Sequence, residues 1–246
     1  MSDYRVVTVT NRIPQEWYYL QKEFFQSLGE VKPLIITGGG NEYGQWGGLT
    51  SKPKWLYKAI KDGHIPQKYM IFPDNWDLVF ACPIDEVMEV YKACKKTVMI
   101  SAETNCFPSD TKEEYDKLHN PPPYKYLNSG FIIGETEAIL TCLESMDLPN
   151  VPNDYHDAEK GIDVNPNDQL LWQLEYLKQP VEIGLDCNQF LSQTLHDARI
   201  DDFDFSTDRI VNKITGSAPC SFHFNGGAKS NLELRNPILK HLNLLT

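Results

Sequence analysis

Two aspartates three residues apart, Asp74 and Asp77, close the apolar run Met70-Ile71-Phe72-Pro73. Such a run reads as a strand, and the carboxyl end of a strand in an α/β sheet opens onto the crevice where ligands bind. Carboxylates crowded there repel one another unless a cation lies between them, and Mg²⁺ or Mn²⁺ prefers oxygen donors. By itself an Asp-x-x-Asp turn is more often solvated loop than metal site. Further segments bring kindred chemistry. Glu103 ends the strand-like Ser101-Ala102-Glu103 and projects toward the same edge, unless it is an ordinary loop carboxylate. Asn128 and Ser129 precede Gly130, a combination that can hydrogen-bond sugar hydroxyls and admit close backbone approach, although an ordinary β-turn looks the same. Asn167-Asp168-Gln169 opens a helix, where Asn and Asp are favoured caps. His223 ends a C-terminal strand and is followed by a glycine turn and Lys229. A lone histidine is most often structural, but beside a flexible turn and a lysine it suits a metal–diphosphate site.

The elements that must position these residues alternate. Tyr4 to Thr10 reads as a strand, Gln15 to Leu28 as a helix with Trp17, Leu20, Phe24 and Leu28 on one face, and Pro33 to Thr37 as a buried strand. A helix carrying Trp55, Leu56, Ala59 and Ile60 comes before the Asp74 strand. A helix from about Pro83 to Lys95 and a strand from Thr97 to Ala102 come after it. Strands alternating with helices predict a mainly parallel sheet covered on both faces. Glu103–Tyr126 and Asn150–Asn167 read as long loops, lids or binding loops rather than linkers, so one domain over residues 1–246 is expected. The Gly38-Gly39-Gly40 run follows a strand as a phosphate loop would, yet lacks the Walker lysine–serine pair and the dinucleotide spacing. A flexible turn explains it equally well. Trp46, among the glycines of that loop, offers a flat face to a base or sugar ring.

Composition narrows the field. With 41% hydrophobic and 23% charged residues the chain is an ordinary globular one, and no apolar run is long enough to span a membrane. The opening residues lack a signal-peptide pattern, which makes a cytoplasmic location the expectation, in a host cell if the protein is viral. Six scattered cysteines without a Cys-x-x-Cys pair argue for reduced thiols and against zinc. A net charge of −11 disfavours broad phosphate neutralisation on nucleic acid.

Taken together and in this order, the segments resemble the glycosyltransferase domain of the procollagen lysyl hydroxylases and its viral relatives, over nearly the whole chain. The family's strand-end Asp-x-x-Asp corresponds to Asp74 and Asp77, and its Ser-Ala-Glu strand to Ser101-Ala102-Glu103. Its Leu-Asn-Ser-Gly segment corresponds to Leu127–Gly134, its acidic helix start to Asn167-Asp168-Gln169-Leu170, and its Leu-Asp turn to Leu185-Asp186. Its terminal turn corresponds to His223-Phe224-Asn225-Gly226. The resemblance implies a GT-A-type α/β sandwich with a central mainly parallel sheet, binding a UDP-sugar through Mn²⁺ (or Mg²⁺). It implies metal ligation by Asp74, Asp77 and His223. Contacts to the nucleotide or its phosphates are implied for Thr10, Trp46, Lys52, Trp76, Asn225, Gly226 and Lys229, and roles at the reacting sugar for Asp168, Asn128 and Glu103. The chain departs from the pattern in three places: the acidic run is thinned to Asp168, Phe224 replaces the first glycine of the terminal turn, and Ile132 replaces a small residue. The resemblance covers the glycosyltransferase domain alone, so no iron chemistry is expected of these residues.

The expected reaction is metal-dependent transfer of a sugar from a UDP-sugar to a hydroxyl acceptor, with retention implied by the resemblance. The resemblance points to galactosyl-hydroxylysine of a collagen-like protein as acceptor. A hydroxylated or hydroxymethylated DNA base is the alternative, for which Lys52, Lys54, Lys58 and Lys61 form a candidate basic strip. A catalytically inactive nucleotide-sugar-binding module is a third reading, and a phosphohydrolase would share the Asp pair without explaining Trp46 or Asn128-Ser129.

Overall fold

The structure is a computed structural model. It describes residues 2–11, 20–38, 43, 46–74, 76–118, 121, 123–151 and 167–245, with 155–157 and 162–164 as backbone. Strands and helices alternate as the apolar patterning predicts. β1 (Tyr4–Thr10), α1 (Gln21–Ser27), β2 (Leu34–Thr37), α2 (Ser51–Lys61) and β3 (Tyr69–Pro73) come first. β4 (Leu78–Phe80), α3 (Ile84–Ala93), β5 (Val98–Glu103), α4 (Lys112–Asp116), β6 (Tyr126–Glu135) and α5 (Thr136–Ser145) follow. β7 (Tyr155–Asp157) pairs with β8 (Ile162–Val164) ahead of α6 (Asp168–Lys178) and β9 (Ile183–Asp186). Short strands β10 (Gln193–Thr194), β11 (Phe203–Asp204), β12 (Val211–Asn212) and β13 (Ser221–His223) lead to α7 (Leu232–His241). The start of the helix expected from Gln15 lies outside the described residues. Both segments read as loops carry short elements, α4 in one and β7 with β8 in the other. Among the described residues no helix is long and apolar enough to cross a membrane.

The main sheet has the order β2-β1-β3-β6-β5-β9. Five strands run one way, and β6 runs against both its neighbours. Side chains alternate between two cores, as the two-residue period of a strand requires. Val7, Val9, Met70, Phe72, Ile100 and Ile132 face the layer built by α2, α5 and α6. Val6, Ile71, Met99 and Ile133 face α1 and α3. Burial on both faces explains why these strands read as near-continuous apolar runs. A third core joins α7 to β4 and β13 through Leu234, Ile238, Val79 and Phe222.

Because β6 is reversed, its first residues lie where β3 and β5 end, with Tyr126 opposite Glu103 and Phe131 opposite Pro73. Its pairing with β5 slips there: Ile100 faces Ile132, but Ala102 faces Leu127. Residues 128–131 therefore bulge out against Ser101, whose hydroxyl donates to the Asn128 carbonyl at 2.8 Å. A bulge re-aims side chains, and this one turns Asn128 and Ser129 toward the ligand edge.

The Leu185-Asp186 pair ends β9. Asp186 is buried, and its carboxylate accepts the backbone N–H groups of Phe190, Leu191 and Ser192 at 2.8–2.9 Å. Asp186→Ala leaves three donors without an acceptor, and an orphaned buried group costs about 1–3 kcal/mol. A urea-denaturation loss of at least about 2 kcal/mol is expected; a loss below about 0.5 kcal/mol would show that water takes over the role.

Candidate active site

A cavity of about 760 Å³ opens at the strand ends. The β3–β4 turn supplies Asp74 and Asp77, the end of β5 supplies Glu103, and the β6 bulge supplies Asn128, Ser129 and Gly130. The start of α6 brings Asn167, Asp168 and Gln169, and α2 brings Lys52. β13 and the turn after it bring His223, Asn225, Gly226 and Lys229.

One donor atom from each of Asp74, Asp77 and His223 lies within 4.8 Å of the other two. His223 Nε2 is 3.9 Å from Asp74 and 3.6 Å from Asp77, and the imidazole is buried. Asp77 Oδ1 is buried with no hydrogen-bond partner, which suits an oxygen held for a cation. Two carboxylate oxygens and an imidazole nitrogen form a donor set that a hard or borderline divalent cation accepts. The residues fit a metal. The other Asp77 oxygen takes Lys229 Nζ at 2.7 Å. Burial alone would raise the Asp77 carboxyl, but His223 and then Lys229 outweigh it and hold it down at about 2.

Backbone donors orient the amides behind this group. The N–H of Gly130 donates to Asn128 Oδ1 at 3.0 Å, so Nδ2 faces Glu103 at 3.1 Å. Asn128 Oδ1 therefore also faces His223 Nδ1, at 3.1 Å, and must accept its hydrogen. With a hydrogen on Nδ1, the Nε2 side of the ring faces Asp74 and Asp77, where it can carry a proton toward Asp77 or, in exchange for that proton, ligate a metal. Asn225 Oδ1 accepts from Leu195 and His196 backbone N–H at 2.9 Å, which turns its Nδ2 to Glu103 at 3.0 Å. Gln169 Oε1 accepts from the Ser129 N–H at 3.1 Å, and its Nε2 donates to Glu103 at 2.8 Å. Glu103 is thus the anchor of three amides. Burial pushes its carboxyl up, while the Asn128 and Gln169 hydrogen bonds pull the other way. Gly130 is demanded by contact: a Cβ there would sit 2.0 Å from His223 Cε1. Gly226 has φ +57°, a conformation that suits glycine.

Asp168 is not the helix cap. Asn167 fills that position, its side chain accepting the Leu170 N–H at 2.9 Å. Asp168 instead points into the cavity, buried, bonded by Ser129 Oγ at 3.2 Å and by Lys52 Nζ at 3.0 Å. Lys52 also pairs with Asp74 at 2.5 Å. Burial works against the Lys52 charge, but Asp168 and Asp74 together raise its pKa and keep it protonated. Burial raises the Asp168 carboxyl, and Lys52 opposes that.

Three of the residues expected at the nucleotide, Thr10, Trp46 and Trp76, are not on the wall of this cavity. Trp76 is buried against Phe24 and Phe25, with ring centroids 5.9 and 5.6 Å away. Its Nε1 donates to Thr10 Oγ1 at 3.3 Å, so both residues belong to the core rather than the cavity wall. Trp76 has φ 65°, and its indole packs into the core while Asp74 and Asp77, on either side of it in sequence, line the cavity. Trp46 is half-buried and meets Trp55 edge-on at 5.4 Å, also off the cavity wall. The proposed basic strip is occupied. Lys54 donates to the Val151 carbonyl, Lys58 pairs with Asp62 and Lys61 with Glu144, while Lys52 turns into the cavity. Gln169 and His196, both on the wall, carried no sequence signal beyond adjacency to Asp168 for the former.

A family model described as the PLOD GT domain matches residues 28–243. Procollagen-lysine,2-oxoglutarate 5-dioxygenase of Drosophila melanogaster is 24% identical over 177 residues, 68% of this chain and 22% of that protein. The multifunctional procollagen lysine hydroxylase and glycosyltransferase LH3 of Homo sapiens is 24% identical over 220 residues, 85% of this chain and 28% of its own. The chain therefore spans about a quarter of the length of these relatives. Among solved structures, a glycosyltransferase involved in glycosylation of the major capsid of PBCV-1 superposes with TM-score 0.52 at 11% identity. That match covers 98% of this chain and 100% of the other. Mouse xyloside xylosyltransferase 1 gives TM-score 0.53 at 14% identity, covering 92% and 98%. The likeness establishes the GT-A fold.

The depressed Asp77 carboxyl has a pH consequence. Its folded value of about 2 lies below the ordinary 3.8. Its stabilisation is therefore full above about pH 4 and lost as pH falls through 2. In EDTA, Asp77→Asn should be less stable than wild type near neutrality. The difference should close by roughly 2 kcal/mol on acidification. A urea-midpoint difference that stays constant with pH would refute the pairing.

Proposed function

The chain belongs to the PLOD GT domain family, and from that premise we propose that it transfers a sugar from a UDP-sugar to a hydroxyl acceptor with a divalent cation, Mn²⁺ or Mg²⁺. The observation that carries the reading is the meeting of Asp74, Asp77 and His223 on a cavity wall, with a buried Asp77 oxygen left unpartnered. A cation bound there supplies Lewis-acid neutralisation of the diphosphate as the glycosidic bond breaks. Lys229 adds a fixed positive charge on the same side. Asn128, anchored by Glu103, holds His223 in the ligating tautomer, so both act as positioning groups. Asp168 presents a carboxylate toward the sugar, where an oxocarbenium-like transition state gains positive charge. Asn225 and Gly226 shape the turn beside the phosphates. The proposed acceptor is a hydroxylysine-type side chain, the reading that the procollagen-lysine names of the relatives support, and the proposed outcome is retention at the anomeric carbon.

Incubation with Mn²⁺ and a panel of UDP-sugars, with hydroxylysine or galactosyl-hydroxylysine peptides and with hydroxymethylated DNA, should release UDP with a peptide acceptor. Release with DNA alone would move the assignment to the nucleic-acid acceptor. No release with any pair would favour a binding module.

Two variants test the roles. Calorimetry should show UDP affinity falling at least tenfold with EDTA and with Asp77→Ala; unchanged affinity in both would sink the metal assignment. Asp168→Asn keeps the Asn167 cap and leaves Lys52 its pairing with Asp74, so UDP affinity should stay near wild type while the melting temperature falls with the loss of a buried ion pair. Turnover should fall at least tenfold, about 1.4 kcal/mol of barrier. Wild-type turnover would reduce Asp168 to a partner for Lys52.

A further inference from the structure

Away from the cavity, a second group of donors meets at the start of α3. Cys82 directly precedes the N-cap Pro83, Glu86 lies in the first helical turn, and Cys220 directly precedes β13. Distant stretches of chain converge here because β13 pairs antiparallel with β4, Ser221 opposite Phe80. The Ala81 N–H extends that pairing to the Cys220 carbonyl at 2.7 Å. One atom from each residue, two sulfurs and a carboxylate oxygen, lies within 4.8 Å of the others. Both cysteines are free thiols, 8% and 1% exposed, and the Cys82 thiol lies 3.8 Å from the Cys220 carbonyl and beside the Cys220 thiol. Arg209 closes the group: it pairs with Glu86 through Nη1, and Nη2 donates to the carbonyls of Ala218 and Pro219 at 3.1 and 2.9 Å.

We propose that Cys82, Cys220 and Glu86 hold a Zn²⁺, at a site separate from the sugar-transfer centre. Two thiolates select a borderline-soft cation over the Mn²⁺ or Mg²⁺ suited to oxygen donors. Zn–S bonds of about 2.3 Å and Zn–O bonds of about 2.1 Å set tetrahedral donors roughly 3.5–4 Å apart. Small side-chain rotations therefore close the observed arrangement. Charge agrees as well. Two thiolates and a carboxylate are balanced by a divalent cation and the Arg209 guanidinium, which makes the buried centre neutral and removes the cost of an isolated charge. A carboxylate has lone pairs for both a metal and an arginine. The fourth ligand is water on the Glu86 side, where that side chain is 41% exposed. Such a centre ties the start of α3 to the strand that carries His223.

The test uses the full chain, stripped of metal under reducing conditions and titrated with Zn²⁺ or Cd²⁺. One equivalent of Cd²⁺ should produce a thiolate-to-metal charge-transfer band in the ultraviolet, and one equivalent of Zn²⁺ should raise the melting temperature. Asp77→Ala should leave the band intact, separating this centre from the other. Cys82→Ser should abolish the band. Should Cys82→Ser not fold, Glu86→Gln, a change at a half-exposed carboxylate, should keep the band and weaken Cd²⁺ binding at least tenfold. A folded wild type without the band would overturn the proposal. So would Cd²⁺ affinity unchanged in Glu86→Gln, or a mass two hydrogens low that maps to a Cys82–Cys220 disulfide.

Discussion

Four carboxylates, Asp74, Asp77, Glu103 and Asp168, share one cavity, and the structure around them is organised by the need to keep them from repelling one another. Each is answered differently. Glu103 is surrounded by amides, which lend hydrogen bonds and no charge. Asp168 and Asp74 share Lys52, and Asp77 takes Lys229 on one oxygen. Lys112, the other lysine on the wall, is engaged by Asp116. What stays uncompensated is concentrated at Asp77 Oδ1, beside His223. A field so arranged attracts a cation to one place, and a preorganised electrostatic environment is where most catalytic power resides.

The reversal of β6 makes this arrangement possible. A parallel strand in that position would end at the edge, offering one or two side chains. A strand entering from the edge, and bulging as it does so, offers Asn128, Ser129 and Gly130 in succession. Its glycine lets the histidine ring lie directly on the backbone, and its asparagine sets the ring's tautomer. The same strand then continues as a central, buried strand of the sheet, so the site is held by the middle of the fold.

Much of this is legible in the chain and some is not. The strands that end at Thr10, Pro73 and Glu103 can be read because burial on both faces leaves uninterrupted apolar runs, and His223 can be read because a glycine turn follows its strand. The direction of β6 cannot, since the period of a strand carries no sign. Trp76 reads as a nucleotide contact because it stands between two aspartates; its packing against Phe24 and Phe25, at a residue with φ 65°, leaves no mark in the sequence. Asp168 looks like a cap because its neighbour is one. Lys54, Lys58 and Lys61 look like a strip until their partners, distant in sequence for two of them, are seen. The thiol pair is invisible to spacing, because Cys82 and Cys220 meet only through the pairing of β4 with β13.

That pairing has a consequence for how this fold can change over time. β4 and β13 are three residues each, with Asp77 and His223 at one end and Cys82 and Cys220 at the other. Leu78 and Phe80 belong to one core and Val79 to another. A single inserted or deleted residue would shift the register by one and turn every side chain over, uncoupling both ends at once. Substitution can drift along these strands, but length cannot. Insertions in descendants of this chain should collect in the connections around the pair, leaving its span as an unaltered ruler between two clusters of donors.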